Sequence, residues 1–284
     1  MSERLHRQWL ACIAVIAGAC AAGMAIGCAR RSVPVVIAFA ARFGNQPFSC
    51  TTPVDAGGGP FIARDLRFYV HAVQLLAPDG TAADVTLRDD GVWQSSGVAL
   101  LDFEEGTGNC RDGTQGTHTS VEGVVREGSY TGIRFIVGVP FDRNHANPAE
   151  AAPPLTLGHM HWGWQAGYKF LRFDGESTAG TGYRFHLGST ECVGTIGHIT
   201  ACARPNRPVI ELHGFAPDRT IVLDLAAVMR GVDLSTAPAG EPHDAVRGCM
   251  SGPDAPDCGS AFAAVGLDLQ TGRPLATQRA FAVR

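Results

Sequence analysis

Apolar and polar positions alternate with period two along much of this chain. Val35, Ile37, Phe39, Ala41 and Phe43 fall on one side of the first such stretch, a pattern that predicts a half-buried strand. Leu66 to Leu76, LRFYVHAVQLL, predicts a second long strand closed by the turn Pro78-Asp79-Gly80. Within it His71 shares parity with Tyr69 and Val73. Shorter strands are expected over Asp84–Arg88, Val98–Phe103 and Tyr130–Val139. Another runs from Gly158 to Phe173, with Tyr183–Leu187 as its hairpin partner. Pro208–Phe215 and Thr220–Leu225 read as a hairpin around Pro217-Asp218, Ala226–Gly231 as a helical turn, and a last strand falls near Ala280. Strands at short intervals, with no long helices between them, predict an all-β protein: an antiparallel β-sandwich or barrel-like single domain with long loops.

The N-terminus departs from that pattern. Arg4, His6 and Arg7 precede an apolar, alanine-rich run from Trp9 to Ile26, the arrangement of an export signal. It ends at Ala25-Ile26-Gly27-Cys28, which resembles a bacterial lipobox with Cys28 as the lipidated residue. A plainly cleaved signal peptide and an uncleaved anchor are the alternatives. Residues 1–28 are therefore assigned to the signal and 29–284 to the β domain, in the periplasm or at the outer membrane. Past the signal six cysteines remain: Cys50, Cys110, Cys192, Cys202, Cys249 and Cys258. An even number in an exported chain reads as disulfides. Short loops favour Cys192 with Cys202 and Cys249 with Cys258, leaving Cys50 for Cys110. No CxxC pair suggests a zinc or dithiol redox motif. The net charge of −4 makes no electrostatic case for nucleic acid.

The chemistry concentrates in GHMHWGWQAGYKFLRFD, residues Gly158 to Asp174. As an extended strand it sets His159, His161 and Gln165 on one face and Met160, Trp162, Trp164 and Tyr168 on the other. Two imidazoles at i and i+2, about 7 Å apart at Cα, can converge on one metal ion. Nitrogen ligands without dense carboxylates suit copper, zinc, iron or nickel rather than calcium or magnesium. His71 and His213, on other strands, could complete the set. HxH is also a common surface pair, and tryptophans facing away from it are commonly core. Gly163 between them is a bulge candidate. His118, His145, His198 and His243 lie in loops and read as solvated residues. Asp102, Glu104 and Glu105 read as an acidic strand end, and no nucleophile elbow is present.

The series LRFYVHAVQLL, GVALLDFEEGTGNC, GIRFIVGVPFDRNH, APPLTLGHMHWGWQAGYKFLRFD, FHLGSTEC, CARPNRPVIEL and GCMSGPDAPDC resembles the MbnP-like copper-binding proteins, the four-Cys-motif partner of the metallo-mystery pair. The resemblance runs from about Val35 to about Phe281. It implies an exported, β-rich copper-binding protein whose partner is a MauG-type dihaem cytochrome c peroxidase. That partner would oxidise a tryptophan near the copper to kynurenine, here Trp162 or Trp164. The ligand set it implies begins with His71 and His161, followed by His159 and His213, while His145 belongs to a matching motif and serves to fix its loop. Metal binding rather than catalysis is the expected role. A copper-dependent redox enzyme and a surface-anchored module stacking ligands on the Trp pair are the rivals.

Overall fold

The computed structural model describes residues 31–284 apart from 57–58, 112, 179, 236–245 and 256. The signal segment with Cys28, and His243, lie outside the described residues. The chain begins with β1 (Ser32–Phe43), β2 (Pro60–Leu76), β3 (Val98–Asp102), β4 (Ser120–Arg126) and β5 (Gly132–Val137). The short helix α1 (Phe141–Asn144) precedes β6 (His161–Gly163), β7 (Gly167–Tyr168), β8 (Leu171–Ser177) and β9 (Gly182–Leu187). Then come β10 (Thr190–Thr195), β11 (His198–Arg204), β12 (Val209–His213), β13 (Thr220–Asp224) and α2 (Leu225–Val228). The chain finishes with β14 (Val246–Cys249), α3 (Cys258–Val265) and β15 (Phe281–Val283).

One sheet runs β15-β13-β1-β4, and a larger one β12-β5-β2-β8-β9-β14. The two pack face to face as a sandwich, not a closed barrel. Phe39 of β1 meets Phe68 and Phe135 edge-on, and Phe43 meets Phe61 and Phe173, the ring geometry that aromatic quadrupoles favour. Two expectations fail. β12 and β13 form no hairpin: β12 pairs with β5 and β13 with β1, in different sheets. The turn at Pro217-Asp218 exists, but the apolar sides of the two strands are buried in opposite layers. Nor is the pairing wholly antiparallel, because β1–β13 and β9–β14 are parallel.

β2 is the spine of the larger sheet. β8 and β5 pair in tandem along one of its edges, while β3 pairs along the other. Two bulges reset which residues face the core. Asp174 pairs with Asp65 and Gly175 with Ala63, so Arg64 is an extra residue. Ile136 pairs with His71 and Arg134 with Gln74, so another extra residue lies there, where Ala72 adopts φ +49°. Before the first bulge Phe61 and Ala63 face inward; between the bulges Leu66, Phe68 and Val70 do; beyond the second, Val73 and Leu75 do. Asp65, Arg67, Tyr69 and His71 are thereby turned together to the outer face, and His71 no longer shares a side with Val73.

That outer face is roofed by two loops. Arg67 donates to Thr114 Oγ1 at 3.0 Å in the loop after β3, which the Cys50–Cys110 bridge ties down. Tyr69 donates to the Pro154 carbonyl at 3.2 Å in the segment between α1 and β6. The other bridges join Cys192 to Cys202 and Cys249 to Cys258, the pairs that short loops favour. Among the described residues, no helix is long and apolar enough to cross a membrane.

Candidate metal centre

His71 is buried on the outer face of β2, and its Nδ1 lies 2.8 Å from the Gly138 carbonyl. A carbonyl only accepts, so Nδ1 carries the proton and Nε2 presents its lone pair. This is how metal-binding histidines are commonly oriented. Gly138 comes this close because it has no side chain: at φ +131°, a Cβ would stand 2.9 Å from the Phe170 ring. Burial, opposed by the Gly138 hydrogen bond and reinforced by the charge of Arg207, lowers the His71 pKa to about 4. The imidazole is neutral at neutral pH and available to a metal.

α1 brings in a second buried imidazole. Asn144 accepts from the Tyr168 amide at 2.9 Å and donates to the Ala166 carbonyl at 3.0 Å. Its orientation is thereby fixed, and its NH2 also points at His145 Nε2, 3.0 Å away. Nε2 must accept, which puts the His145 proton on Nδ1, a buried atom without a partner. Burial and then Arg207 hold the His145 pKa at about 4. Arg207 itself is anchored by donating to the Val139 carbonyl at 2.6 Å and lies over the Phe170 ring. Burial lowers its pKa to about 10.

The HxH segment is not the continuous strand its alternation predicts. Residues Gly158–Met160 form a 3-10 turn and the strand begins only at His161. His159 and His161 therefore share no strand face. His159 is exposed, and its carbonyl accepts from Lys169 Nζ at 2.9 Å. His161 is half-buried, with its ring edge-on to Tyr168 at 5.2 Å, and Tyr168 is edge-on to Tyr69 at 6.1 Å. His161 is thus linked through Tyr168 to Tyr69, which shares the outer face of β2 with His71. Burial raises both phenol pKa values, so neither offers a phenolate. Burial, then Lys169, lowers that of His161.

The pairing slips between His161 and Gly163, an irregularity where the glycine suggests one. It splits the two indoles. Trp162 is half-buried over Gly188, where a Cβ would stand 2.9 Å from the ring, and lies edge-on to His186. Trp164 is 44% exposed, so neither is the core residue that strand alternation expects. His213 does not join the group. Its side chain is 85% exposed beside Glu211, and it pairs with Gly132 whereas His71 pairs with Ile136. That offset alone is about 13 Å along the strands.

The other half of the roofed face is a charge lattice. Arg67 donates to Asp65 and lies 3.6 Å from Glu104. Arg172 bridges Asp65 and Asp174, and His186 Nε2 is 2.6 Å from Asp174 Oδ1. Burial would raise the Asp174 pKa, but His186 and Arg172 outweigh it and hold it below the ordinary carboxylate value. Asp102 behaves oppositely: burial, then Glu104, raises its pKa to about 8.

Among the described residues, the one group of three His, Cys, Asp or Glu ligand atoms within 4.8 Å of one another is His145, Cys192 and Cys202. Its sulfurs are bonded to each other, so no thiolate is available while the bridge is closed. Sequence reasoning reads His145 as a solvated loop residue or a loop fastener, yet it is buried. Its neighbour Asn144, inside a short helix after Pro140, was the available signal.

A sequence model of the MbnP family matches residues 32–251. Comparison with curated protein sequences finds no match. Among solved structures the fold is similar to MbnP from Methylosinus trichosporium, with a TM-score of 0.78 and 30% identity, covering 89% of this chain and 98% of that one. Sandwich, roofed histidine face and disulfide-stapled loops therefore sit within one recognised group of proteins, and the chain belongs to the MbnP family.

Proposed function

We propose that the protein is an exported copper-binding protein whose ion is held between β2 and the segment that roofs it, with His71 and His161 as imidazole ligands. The observation that carries this reading is His71: buried, neutral, hydrogen-bonded through Nδ1 to Gly138 and presenting Nε2. Neutral nitrogen donors beside protonated tyrosines suit a soft ion better than calcium or magnesium. The Arg207 cation that disfavours protonation of His71 disfavours a divalent ion for the same electrostatic reason, so Cu(I) is the favoured state. Bound there, copper would supply a redox-active centre; the chain's own part is to fix the imidazoles and keep them unprotonated. His159 and His213, both exposed, are not included in the set.

A MauG-type dihaem peroxidase is the proposed partner, with Trp162 the preferred substrate for conversion to kynurenine and Trp164 the second candidate. Trp162 adjoins His161 and packs against β9, whereas Trp164 is open to solvent. Export rests on the N-terminal signal pattern, with Cys28 as the lipid attachment point and the periplasm or outer membrane as destination. Peptide mass spectrometry and metal analysis of protein made with and without the peroxidase test the whole reading. Expected are retained copper and an oxidised Trp162 only with the partner; unmodified Trp162 and Trp164 in co-expressed protein would remove the kynurenine claim.

A further inference from the structure

We infer that the Cys192–Cys202 bridge masks a second, thiol-dependent site for a soft d10 ion such as Cu(I), completed by His145 and opened by a dithiol reductant. The two sulfurs and an imidazole nitrogen already lie within 4.8 Å of one another, with His145 Nε2 3.4 Å from Cys202 Sγ. The Asn144 network fixes the tautomer so that the lone pair is on that same nitrogen. Two thiolates and one imidazole form a soft, three-ligand set, which thiophilic ions prefer over oxygen-seeking ones.

The bridge is placed to open without unravelling the core. Cys192 and Cys202 face each other across β10 and β11, which pair only with one another in a separate two-stranded sheet. Cys202 is half-buried, whereas Cys50, Cys110, Cys249 and Cys258 are all buried. A surface cavity of about 310 Å³ lined by Trp164, Gln165, Glu191 and Cys192 leads to it, giving a reductant and a metal donor a route in. Gln165 donates to the Cys192 carbonyl at 2.8 Å, which holds the hairpin against the roofing segment when the bridge is gone.

The chemistry balances. A dithiol attacks one sulfur of the bridge, passes through a mixed disulfide, and leaves as its own disulfide. Two electrons and two protons move to Cys192 and Cys202. Binding Cu(I) then displaces the two thiol protons to solvent, and the Asn144 NH2 gives up His145 Nε2 to the metal.

The test is an anaerobic titration of the mature chain with Cu(I) delivered from a chelator complex, before and after treatment with a dithiol. Alkylation and peptide mapping identify which cysteines are opened. Expected is an extra Cu(I) equivalent above the oxidised protein's own content, with an ultraviolet sulfur-to-copper charge-transfer band and protection of Cys192 and Cys202 from iodoacetamide. Cys192→Ala/Cys202→Ala loses the increment under all conditions. His145→Gln keeps both thiols and binds the extra ion at least about tenfold more weakly. The proposal is overturned by equal Cu(I) content in oxidised and reduced protein, by an increment that survives in the cysteine-pair variant, by unchanged affinity in His145→Gln, or by an increment that requires opening of Cys50–Cys110 or Cys249–Cys258. Because the increment is counted above the oxidised baseline, it stands or falls independently of the His71–His161 site.

Discussion

The outer face of β2 is used in two opposite ways along its length. At one end Asp65 and Arg67 are locked into a lattice with Glu104, Arg172, Asp174 and His186. A few residues on, Tyr69 and His71 are equally buried, yet both are uncharged, and His71 keeps one nitrogen uncommitted. Both ends are roofed by loops, so burial alone does not distinguish them. What does is charge: the lattice holds paired guanidiniums and carboxylates, with only Asp102 Oδ2 and His186 Nδ1 of its members left without a partner, whereas the imidazole end is neutral and offers a nitrogen lone pair that a metal would use.

The contrast predicts different consequences of mutation. Arg67→Ala removes the cation beside Glu104 and leaves Asp65 with Arg172 alone, and should cost about 3–5 kcal/mol, measured by denaturant unfolding. His71→Ala removes one hydrogen bond to Gly138 and should cost about 1–3 kcal/mol while affecting metal binding far more. Equal losses of stability from the two substitutions would erase the distinction.

Acid sharpens the comparison. The folded pKa values of His71 and His145, about 4, lie below the unfolded value of about 6.5. As pH falls the unfolded chain takes up these protons first, so stability present above about 6.5 is lost progressively toward pH 4. Thermal midpoints of the metal-free protein should follow that window, and His71→Ala should flatten part of it. By the same shift, bound copper should persist at pH 5, where an exposed histidine site would already have lost it to protons. The lattice titrates with the opposite sign. Asp102, with a folded pKa of about 8, stays protonated while its unfolded counterpart ionises near pH 4. Its contribution therefore diminishes stability as pH rises from 4 to 8. Asp102→Asn should gain on wild type across that interval, by unfolding midpoint, and an unchanged difference would remove the assignment.

Much of this was legible in the sequence where periodicity persists. β1, β5 and β9 follow their alternation, and loop length indicates two of the bridges and leaves the third. The site itself was harder to read, because the inference there rests on parity and the chain breaks parity repeatedly. Bulges at Arg64 and Ala72 turn Asp65, Arg67, Tyr69 and His71 to the outer face together, and the turn at Gly158–Met160 separates His159 from His161. Gly158 and Gly163 mark two of these breaks, but the extra residues of the β2 bulges, Arg64 and Ala72, carry no glycine or proline for a pattern rule to flag. His145 was hidden for another reason: only the tertiary position of α1 buries it. His213 looked equivalent to His71 in sequence, and its register on β12 places it at the far end of the sheet.

Copper analysis of the oxidised mature protein beside His71→Ala/His161→Ala tests the metal centre most directly. Both proteins would be loaded with Cu(I) and dialysed against a competing chelator, with unfolding curves recorded to show that the variant is folded. The expected result is copper retained by the wild type and lost from the folded double variant. Equal copper in the two would contradict a site at the imidazole end of β2.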